Sequence, residues 1–192
     1  MDSTQYINKL YMTEQDKSRE NYTRVTQILF PFSGLQSIPQ EILQNAAERG
    51  TRVHQICEGI VSGIGEIGVD DETWGFVESF KKWWNEERTV EAIEKRFWDD
   101  ELRITGQVDF ILKEQHGFTI YDIKTSSRPS KTWQAQGSAY AYLAKKSGYP
   151  ITKVIFIHLN KHGKEPKLHE YPVDDTFFLS IQRVYKHFFY KE

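Results

Sequence analysis

The chain has 192 residues, of which 39 % are hydrophobic and 14 % aromatic, and this is typical of one folded domain with a sizeable core. Its formal net charge of −2 excludes a strongly basic coat for nucleic acid, although it allows a local basic groove. Cys57 is the only cysteine, which excludes an intramolecular disulfide framework and a four-cysteine zinc or iron–sulfur site.

The beginning of the chain predicts a polar N-terminal arm over residues 1–20, followed by a single domain over residues 21–192. The arm lacks the apolar core of a signal peptide and contains acids that transit peptides avoid. No apolar run in the sequence is long enough to span a bilayer. We therefore expect a soluble protein of the cytoplasm or another intracellular compartment, with no membrane partner.

Helices are predicted in the first part of the chain. Pro39 is suited to the first turn of a long helix, and helical spacing of apolar residues returns in a second helix at Val77, Phe80 and Trp84. A glycine-rich loop separates the two helices, and a short element of undecided type, helix or strand, precedes them. The predicted ranges are 22–32 for the undecided element, 39–63 for the first helix, 63–71 for the loop and 71–87 for the second helix.

The second part of the chain predicts a sheet. Three extended segments separated by short polar turns form a β-meander, and a helix, two strands and a final helix follow. The strands are predicted at 89–98, 101–115, 117–126, 152–160 and 167–173, and the helices at 132–148 and 174–190. The last helix carries an apolar stripe of Phe177, Ile181, Val184 and Phe188. This order favours an α/β or α+β sandwich with a mixed sheet and helices on its faces.

Two motifs, GQVD ending at Asp109 and DIK from Asp122 to Lys124, indicate the chemistry. Asp122 and Lys124 project from the same face of a strand, and Asp109 converges on them if the two strands pair. Two carboxylates suit Mg²⁺ or Mn²⁺, and a lysine beside them neutralises charge on a phosphate. The alternative is a set of solvated strand charges. The first strand is predicted to alternate between a core face (Val108, Phe110, Leu112) and an opposite face (Gln107, Asp109, Ile111).

Two helical segments offer further candidates for this site. Gly50, His54 and Glu58 are spaced by four along one helix face, and so are Gln136 and Tyr140 just after the DIK strand. Ordinary packing or solvation also explains each residue taken singly. Gly50 lowers helix stability by roughly 1 kcal/mol relative to alanine, which predicts a packing or substrate-approach reason for it.

A local basic surface is a candidate for binding a phosphate backbone. Arg52, Arg128 and Lys131 are its candidate contacts, and Trp133 is a candidate for stacking on a base. A solvated charge cluster explains the basic residues equally well, and an aromatic residue beside a helix is more often part of the core.

The motifs G-T-x-x-H-x-x-x-E, G-x-x-D, D-x-K and Q-x-x-x-Y occur in this order over about residues 40–145. This order resembles the RecB-type exonuclease branch of the PD-(D/E)XK superfamily, including small phage and prophage exonucleases and mitochondrial single-strand exonucleases. Each motif is weak alone, but four in this order are specific. The resemblance implies an α/β, restriction-endonuclease-like core, a central mixed β-sheet flanked by helices, and hydrolysis of DNA that depends on Mg²⁺ or Mn²⁺.

Carried over motif by motif, the resemblance also implies roles for individual residues. The implied ligands of two Mg²⁺ or Mn²⁺ ions are His54, Asp109, Asp122 and the carbonyl of Ile123. The implied catalytic residues are Asp109, Asp122, Lys124, Gln136 and Tyr140, with Lys124 assisting the attacking water and the last two orienting the site and DNA. Glu58 and Glu94 are the weaker candidates.

The chain departs from many bacterial and archaeal relatives, whose cysteines hold an iron–sulfur cluster. With Cys57 alone, we expect no such cluster. The sequence also has no helicase region, so the resemblance allows a stand-alone nuclease, a homo-oligomer, or a subunit beside a recombination or replication protein. We interpret the chain as a metal-dependent DNA exonuclease. The alternatives are a flap- or junction-specific endonuclease, a non-catalytic DNA-binding module, and an enzyme that acts on RNA.

Overall fold

The computed structural model describes residues 19–189, which form a six-stranded mixed sheet with helices on both faces. The strands are β1 (Thr23–Arg24), β2 (Thr89–Asp99), β3 (Ile104–Glu114), β4 (Gly117–Lys124), β5 (Ile151–His158) and β6 (Lys167–Tyr171). The helices are α1 (Val25–Leu29), α2 (Gln40–Val61), α3 (Trp74–Trp83), α4 (Trp133–Lys146) and α5 (Asp175–Phe189). The predicted mixed sheet flanked by helices is confirmed. The predicted arm over residues 1–20 lies outside the described residues except for its last two.

The predicted meander is also confirmed. β2, β3 and β4 pair antiparallel in sequence order, β5 joins β4 in parallel through the α4 crossover, and β6 pairs antiparallel with β5. The segment predicted as either helix or strand contains both, because β1 is followed directly by α1. None of the helices between residues 19 and 189 combines the length and the apolar character needed to cross a membrane.

The meander opens into a fork in the middle of β3. β2 pairs with β3 along almost its whole length, whereas β4 pairs only as far as Phe110 opposite Tyr121. β1 pairs with the first two residues of β3, on the edge that β2 leaves free. Residues 106–109 therefore lie between β1 and β4, and no strand within residues 19–189 pairs with them on that edge. Because β4 continues along β5, the next residues after the last pair, Asp109 and Asp122, stand on either side of the fork.

Two apolar clusters cover the two faces of the sheet. One contains residues of α1, α4 and α5, and the other contains residues of α2 and α3. Val108 and Ile111 belong to the first cluster, whereas Phe110 and Leu112 belong to the second. The predicted alternation along β3 is therefore wrong at Val108. The pattern shifts by one residue at Asp109, which is opposite Glu94 in the register with β2.

Helix α3 is shorter than predicted. It ends at Trp83, and Trp84 adopts an extended backbone with φ −67° and ψ 137°, so the predicted helical position of Trp84 is wrong. The Trp84 ring stacks on Phe80 instead, with their centroids 6.3 Å apart.

Helix α5 is rotated relative to its predicted apolar stripe. Phe178 and Gln182 are its buried residues, and Phe178 packs against Tyr142 of α4. Phe177, Val184 and Phe188 of the predicted stripe are 37 %, 44 % and 70 % exposed. The neighbouring phenylalanines at 177 and 178 offer two apolar faces, and packing against α4 selects the second.

Helix α2 packs unevenly along its length. Its buried residues, Val53, Ile56 and Cys57, all lie in the second half, and residues 40–52 are exposed or half-buried. The packed half carries His54 to the fork of the sheet.

Candidate active site

Asp109 lies at the centre of the fork and is 6 % exposed. One carboxylate oxygen, Oδ2, accepts a hydrogen bond of 2.6 Å from the backbone amide of Ile123, across the gap between β3 and β4. The other, Oδ1, lies 3.1 Å from Nδ1 of His54. Burial acts to raise the pKa of Asp109, but the charge and hydrogen bond of His54 outweigh it and hold the pKa below its ordinary value. Asp109 is therefore a fixed, ionised carboxylate.

Asp122 is equally buried but less well partnered. Its Oδ2 lies against the ammonium group of Lys124, yet it accepts no hydrogen bond of good geometry from residues 19–189. Burial is the largest influence, and the charge of Asp109 adds to it; together they outweigh Lys124 and raise the pKa of Asp122 to about 6. This carboxylate thus retains an acceptor oxygen for a further cation or donor.

His54 supplies positive charge from helix α2. Burial opposes its protonation, but the charge and hydrogen bond of Asp109 outweigh burial and raise the pKa of His54 to about 9. Because metal ligands must be deprotonated, a cation that binds here displaces the His54 proton. Without a metal ion, the positive charge next to Asp109 is that of the protonated His54 ring.

Glu94 approaches the same point from β2. Its backbone has φ 48°, a left-handed conformation that is unusual for a residue other than glycine and often marks functional sites. Gln107 of β3 donates a hydrogen bond to the Glu94 carboxylate and accepts one from Arg96. Burial, followed by the charge of Asp109, raises the pKa of Glu94 to about 7. Backbone strain and charge repulsion thus occur at the same residue, Glu94.

Helix α4 carries the two predicted site residues Gln136 and Tyr140, and both are buried. The Gln136 amide donates to the Tyr140 hydroxyl over 2.9 Å, and the two side chains are 7 % and 5 % exposed. Burial and then the charge of Asp122 raise the pKa of Tyr140, so this phenol stays neutral and can donate a hydrogen bond.

The donor set fits a hard divalent cation. Ligand atoms of His54, Glu94 and Asp109 lie within 4.8 Å of one another. Asp122 lies outside this group, and its buried Oδ2 is paired with the Lys124 ammonium on β4. Carboxylates with one imidazole suit Mg²⁺ or Mn²⁺.

Known proteins are similar to this chain at the level of family and fold. A family model described as the PD-(D/E)XK nuclease superfamily matches residues 73–188, more than half of the chain. The chain belongs to the PD-(D/E)XK nuclease superfamily. This confirms the resemblance at superfamily level, and members of this superfamily use divalent metal ions. The matched range begins after α2 and does not include His54. His54 is assigned to the site by its contact with Asp109.

Two solved structures resemble the fold of this superfamily member. The crystal structure of SSO0001 has a TM-score of 0.51 and 14 % identity, and the match covers 94 % of this chain and 80 % of that one. A Eubacterium rectale protein named "Putative exonuclease" has a TM-score of 0.52 and 13 % identity, covering 92 % of this chain and 83 % of that one. Identities this low concern the fold alone. No curated protein sequence matches the chain.

Several of the predicted site residues converge in this PD-(D/E)XK chain. The fork brings together ligand atoms of His54, Glu94 and Asp109, and Lys124 lies against Asp122 on β4. Tyr140 is bonded to Gln136 and feels the charges of Asp122 and Asp109. Ile123 contributes its backbone amide to Asp109, and its carbonyl stays a predicted ligand. Glu58 is half-buried on α2, and its charge reaches Glu94 without joining the ligand group.

The four candidate DNA contacts lie in different environments. Trp133 is 4 % exposed and stacks on Phe156, so its prediction as a base-stacking residue is wrong. Arg52 forms ion pairs with Asp70 and Glu72 before α3, which turns it away from the face that carries His54. The remaining two, Arg128 and Lys131, are exposed between β4 and α4.

Sequence reasoning missed Gln107 and Arg96 as supports of Glu94. Both were visible as polar residues two positions from an acid: Gln107 precedes Asp109, and Arg96 follows Glu94. An antiparallel register that pairs Arg96 with Gln107 also sets Glu94 opposite Asp109. The sequence signal was the pair of polar residues two positions apart on each strand, Glu94 and Arg96 on β2 and Gln107 and Asp109 on β3.

Proposed function

We propose that this chain is a metal-dependent DNA exonuclease of the RecB-type branch, with residues 21–192 as one nuclease domain. The observation that carries the proposal is the group formed by His54, Glu94 and Asp109 at the fork, with the buried Asp122–Lys124 pair on the adjacent strand β4. Such a concentration of buried, poorly satisfied charge is costly for folding, so its retention favours a catalytic use.

His54, Asp109 and Asp122 would hold the cation, with Glu94 and the Ile123 carbonyl as further ligands. When bound, a divalent cation would activate a water molecule for attack and stabilise charge on the phosphate oxygens. The Ile123 amide fixes the Asp109 carboxylate, and Asp109 in turn orients the His54 ring. These contacts set the ligand positions before substrate arrives.

Lys124 would contact the substrate. Its ammonium group lies beside Asp122 and remains 18 % exposed, so it faces both the buried carboxylate and the open side of the site. From there Lys124 would neutralise the developing charge of the scissile phosphate and hold the attacking water by a hydrogen bond. Tyr140, kept neutral by its raised pKa and bonded to Gln136, would donate to a phosphate oxygen or orient the water.

The assignment of DNA and of exonuclease activity has separate support. Membership of a nuclease superfamily supports a nucleic-acid substrate. The order of the four motifs favours the exonuclease branch, and the name of the Eubacterium rectale structural neighbour agrees with it. Exposed Arg128 and Lys131 provide positive charge beside the site for a phosphate backbone.

The deciding experiment compares end-labelled linear and closed circular single-stranded DNA with Mg²⁺, Mn²⁺ or EDTA. The Asp122→Asn variant is the matched control. We expect metal-dependent loss of linear DNA alone, and no cleavage by the variant. Cutting of the circle would replace the proposal with an endonuclease. Binding without cleavage in either metal would favour the DNA-binding module, and preferential cleavage of a competing RNA would change the substrate.

A further inference from the structure

The described helices contain four interior glycines, at positions 50 and 59 in α2, 75 in α3 and 137 in α4. A glycine inside a helix is less favourable than almost any other residue, so each one calls for a reason. Packing supplies it at three positions, because an added Cβ would come within 2.7 Å, 1.9 Å and 3.0 Å of neighbouring atoms at Gly59, Gly75 and Gly137.

Gly50 differs from the other three. A Cβ on Gly50 would meet a single neighbour, the Thr125 side-chain oxygen, at 3.4 Å, which is an ordinary van der Waals contact. The position is half-buried and in the right-handed helix, so neither sterics nor backbone conformation requires glycine. Within residues 19–189, nothing in the folded chain accounts for the missing side chain.

The location of Gly50 suggests a reason for the missing side chain. It precedes His54 by four residues, so it lies one turn away on the same helix face, about 6 Å along the axis. Thr125, which it approaches, directly follows Lys124. Gly50 and Thr125 therefore join the two elements that carry His54 and Lys124. The Thr125 side chain is half-buried and makes no hydrogen bond to the rest of residues 19–189.

We propose that the bare backbone at Gly50 and the hydroxyl of Thr125 form a contact site for the sugar–phosphate backbone of the nucleotide next to the scissile phosphate. This rests on the proposed function of the fork as a nuclease site. The absent side chain lets a strand lie against the helix, and the hydroxyl donates to a phosphate oxygen. Contacts of this kind position the strand and carry no sequence information.

The test separates stability from binding in the full chain. Gly50→Ala and Thr125→Val are compared with wild type in thermal melts with EDTA, and in binding of a fluorescein-labelled single-stranded oligonucleotide with Ca²⁺. Cleavage with Mg²⁺ is measured in parallel. Asn45→Ala is the control for helix propensity, because Asn45 is exposed on the same helix. Gly59→Ala is the control for a glycine required by packing.

We expect Gly50→Ala to raise Tm by about 2 °C, because alanine favours the helix. The same variant should weaken oligonucleotide binding by about tenfold, the scale of one misplaced methyl group. Thr125→Val should weaken binding by about tenfold or more, the scale of one lost hydrogen bond to a charged group. Asn45→Ala should raise Tm with unchanged binding, and Gly59→Ala should lower Tm.

Two results would overturn the inference. If Gly50→Ala raises Tm and leaves binding and kcat/KM unchanged, no strand lies against this turn. If Gly50→Ala lowers Tm as Gly59→Ala does, the glycine serves packing. Either result, in a wild-type protein that cleaves DNA, leaves the proposed function standing. A wild type that neither binds nor cleaves would overturn both.

Discussion

Two buried aspartates, on the two strands that pair with opposite edges of β3, have very different surroundings. The side chain of Asp99, at the end of β2, is inaccessible to solvent, and its carboxylate accepts hydrogen bonds from Tyr142 over 2.7 Å and Lys146 over 2.9 Å. The turn amides of Glu101 and Leu102 add two more. Asp122 has Lys124 beside it and no well-directed donor in the described residues.

The consequence is visible in the pKa of each group. Burial acts to raise the pKa of Asp99, but the hydrogen bonds from Lys146 and Tyr142 outweigh it and lower the pKa. Around Asp122 burial prevails, and the pKa rises to about 6. A fully satisfied buried acid ties the β2–β3 turn to α4 and stabilises the fold. An unsatisfied one leaves an acceptor for a ligand, at a cost in stability.

The largest expected difference comes from Asp122→Asn, which should reduce cleavage by about a thousandfold or more. In EDTA the same variant should melt at a higher temperature than wild type at pH 7.5. The folded pKa of about 6 lies above the ordinary value of 3.8, so ionisation of Asp122 opposes folding as pH rises between these values. Melts at pH 7.5 and pH 4 check the sign, since the advantage should vanish in acid. A variant that still cleaves DNA would remove Asp122 from the site.

The next effect distinguishes two lysines that each contact a buried aspartate. Lys124→Ala should lower kcat by about a hundredfold or more, because it removes the cation beside the scissile phosphate. Its counterpart, Lys146→Ala, should leave kcat unchanged and lower Tm, because Lys146 serves the Asp99 cluster. Steady-state kinetics and thermal melts of the two variants measure both quantities. Equal losses of kcat would contradict the division between a structural and a catalytic acid.

A moderate effect is expected from Asp99→Asn. The substitution keeps the size of the side chain but removes the charge that Lys146 and two turn amides bind, so unfolding free energy should fall by about 2 kcal/mol. This corresponds to a decrease in Tm of about 5 °C. Urea titration gives the free energy, and activity per folded molecule should match wild type. A loss of activity at unchanged stability would place Asp99 in the site instead.

The smallest expected effect is the pH dependence of the stability difference between wild type and Asp99→Asn. The folded pKa of Asp99 lies below the ordinary value of 3.8, so its ionised form stabilises the fold at neutral pH. This contribution is fully present above about pH 5 and is lost as pH falls through the ordinary and then the folded value. Urea midpoints of wild type and Asp99→Asn should therefore converge between pH 5 and pH 3. A constant gap would mean that charge is not the source.

The sequence predicted the meander and much of the site because both depend on local patterns. Alternating strands with short polar turns define neighbours, and D-x-K fixes two side chains on one face whatever the rest of the chain does. The helix carrying His54 was predicted from composition. Its approach to Asp109 depends on the packing of Val53 and Cys57 in the apolar cluster that contains Phe110.

Other features depend on contacts that no local pattern contains. The left-handed backbone of Glu94 arises where β2 passes Asp109, and a sequence of charged strand residues gives no sign of it. The rotation of α5 was undetermined because adjacent phenylalanines supply two apolar faces. The sequence allowed Trp133 either to stack on a base or to pack in the core. Its stacking on Phe156 of β5, more than twenty residues away in the chain, decides for the core.

The uneven packing of α2 has a consequence for motion. Backbone amides in residues 40–49 have few tertiary contacts to protect them, so we expect their hydrogens to exchange with solvent far faster than those near Val53. The helix can then fray and re-form from its first turns while Val53 and Cys57 keep His54 in register with Asp109. Local unfolding of residues 40–49 would therefore leave the ligand geometry intact.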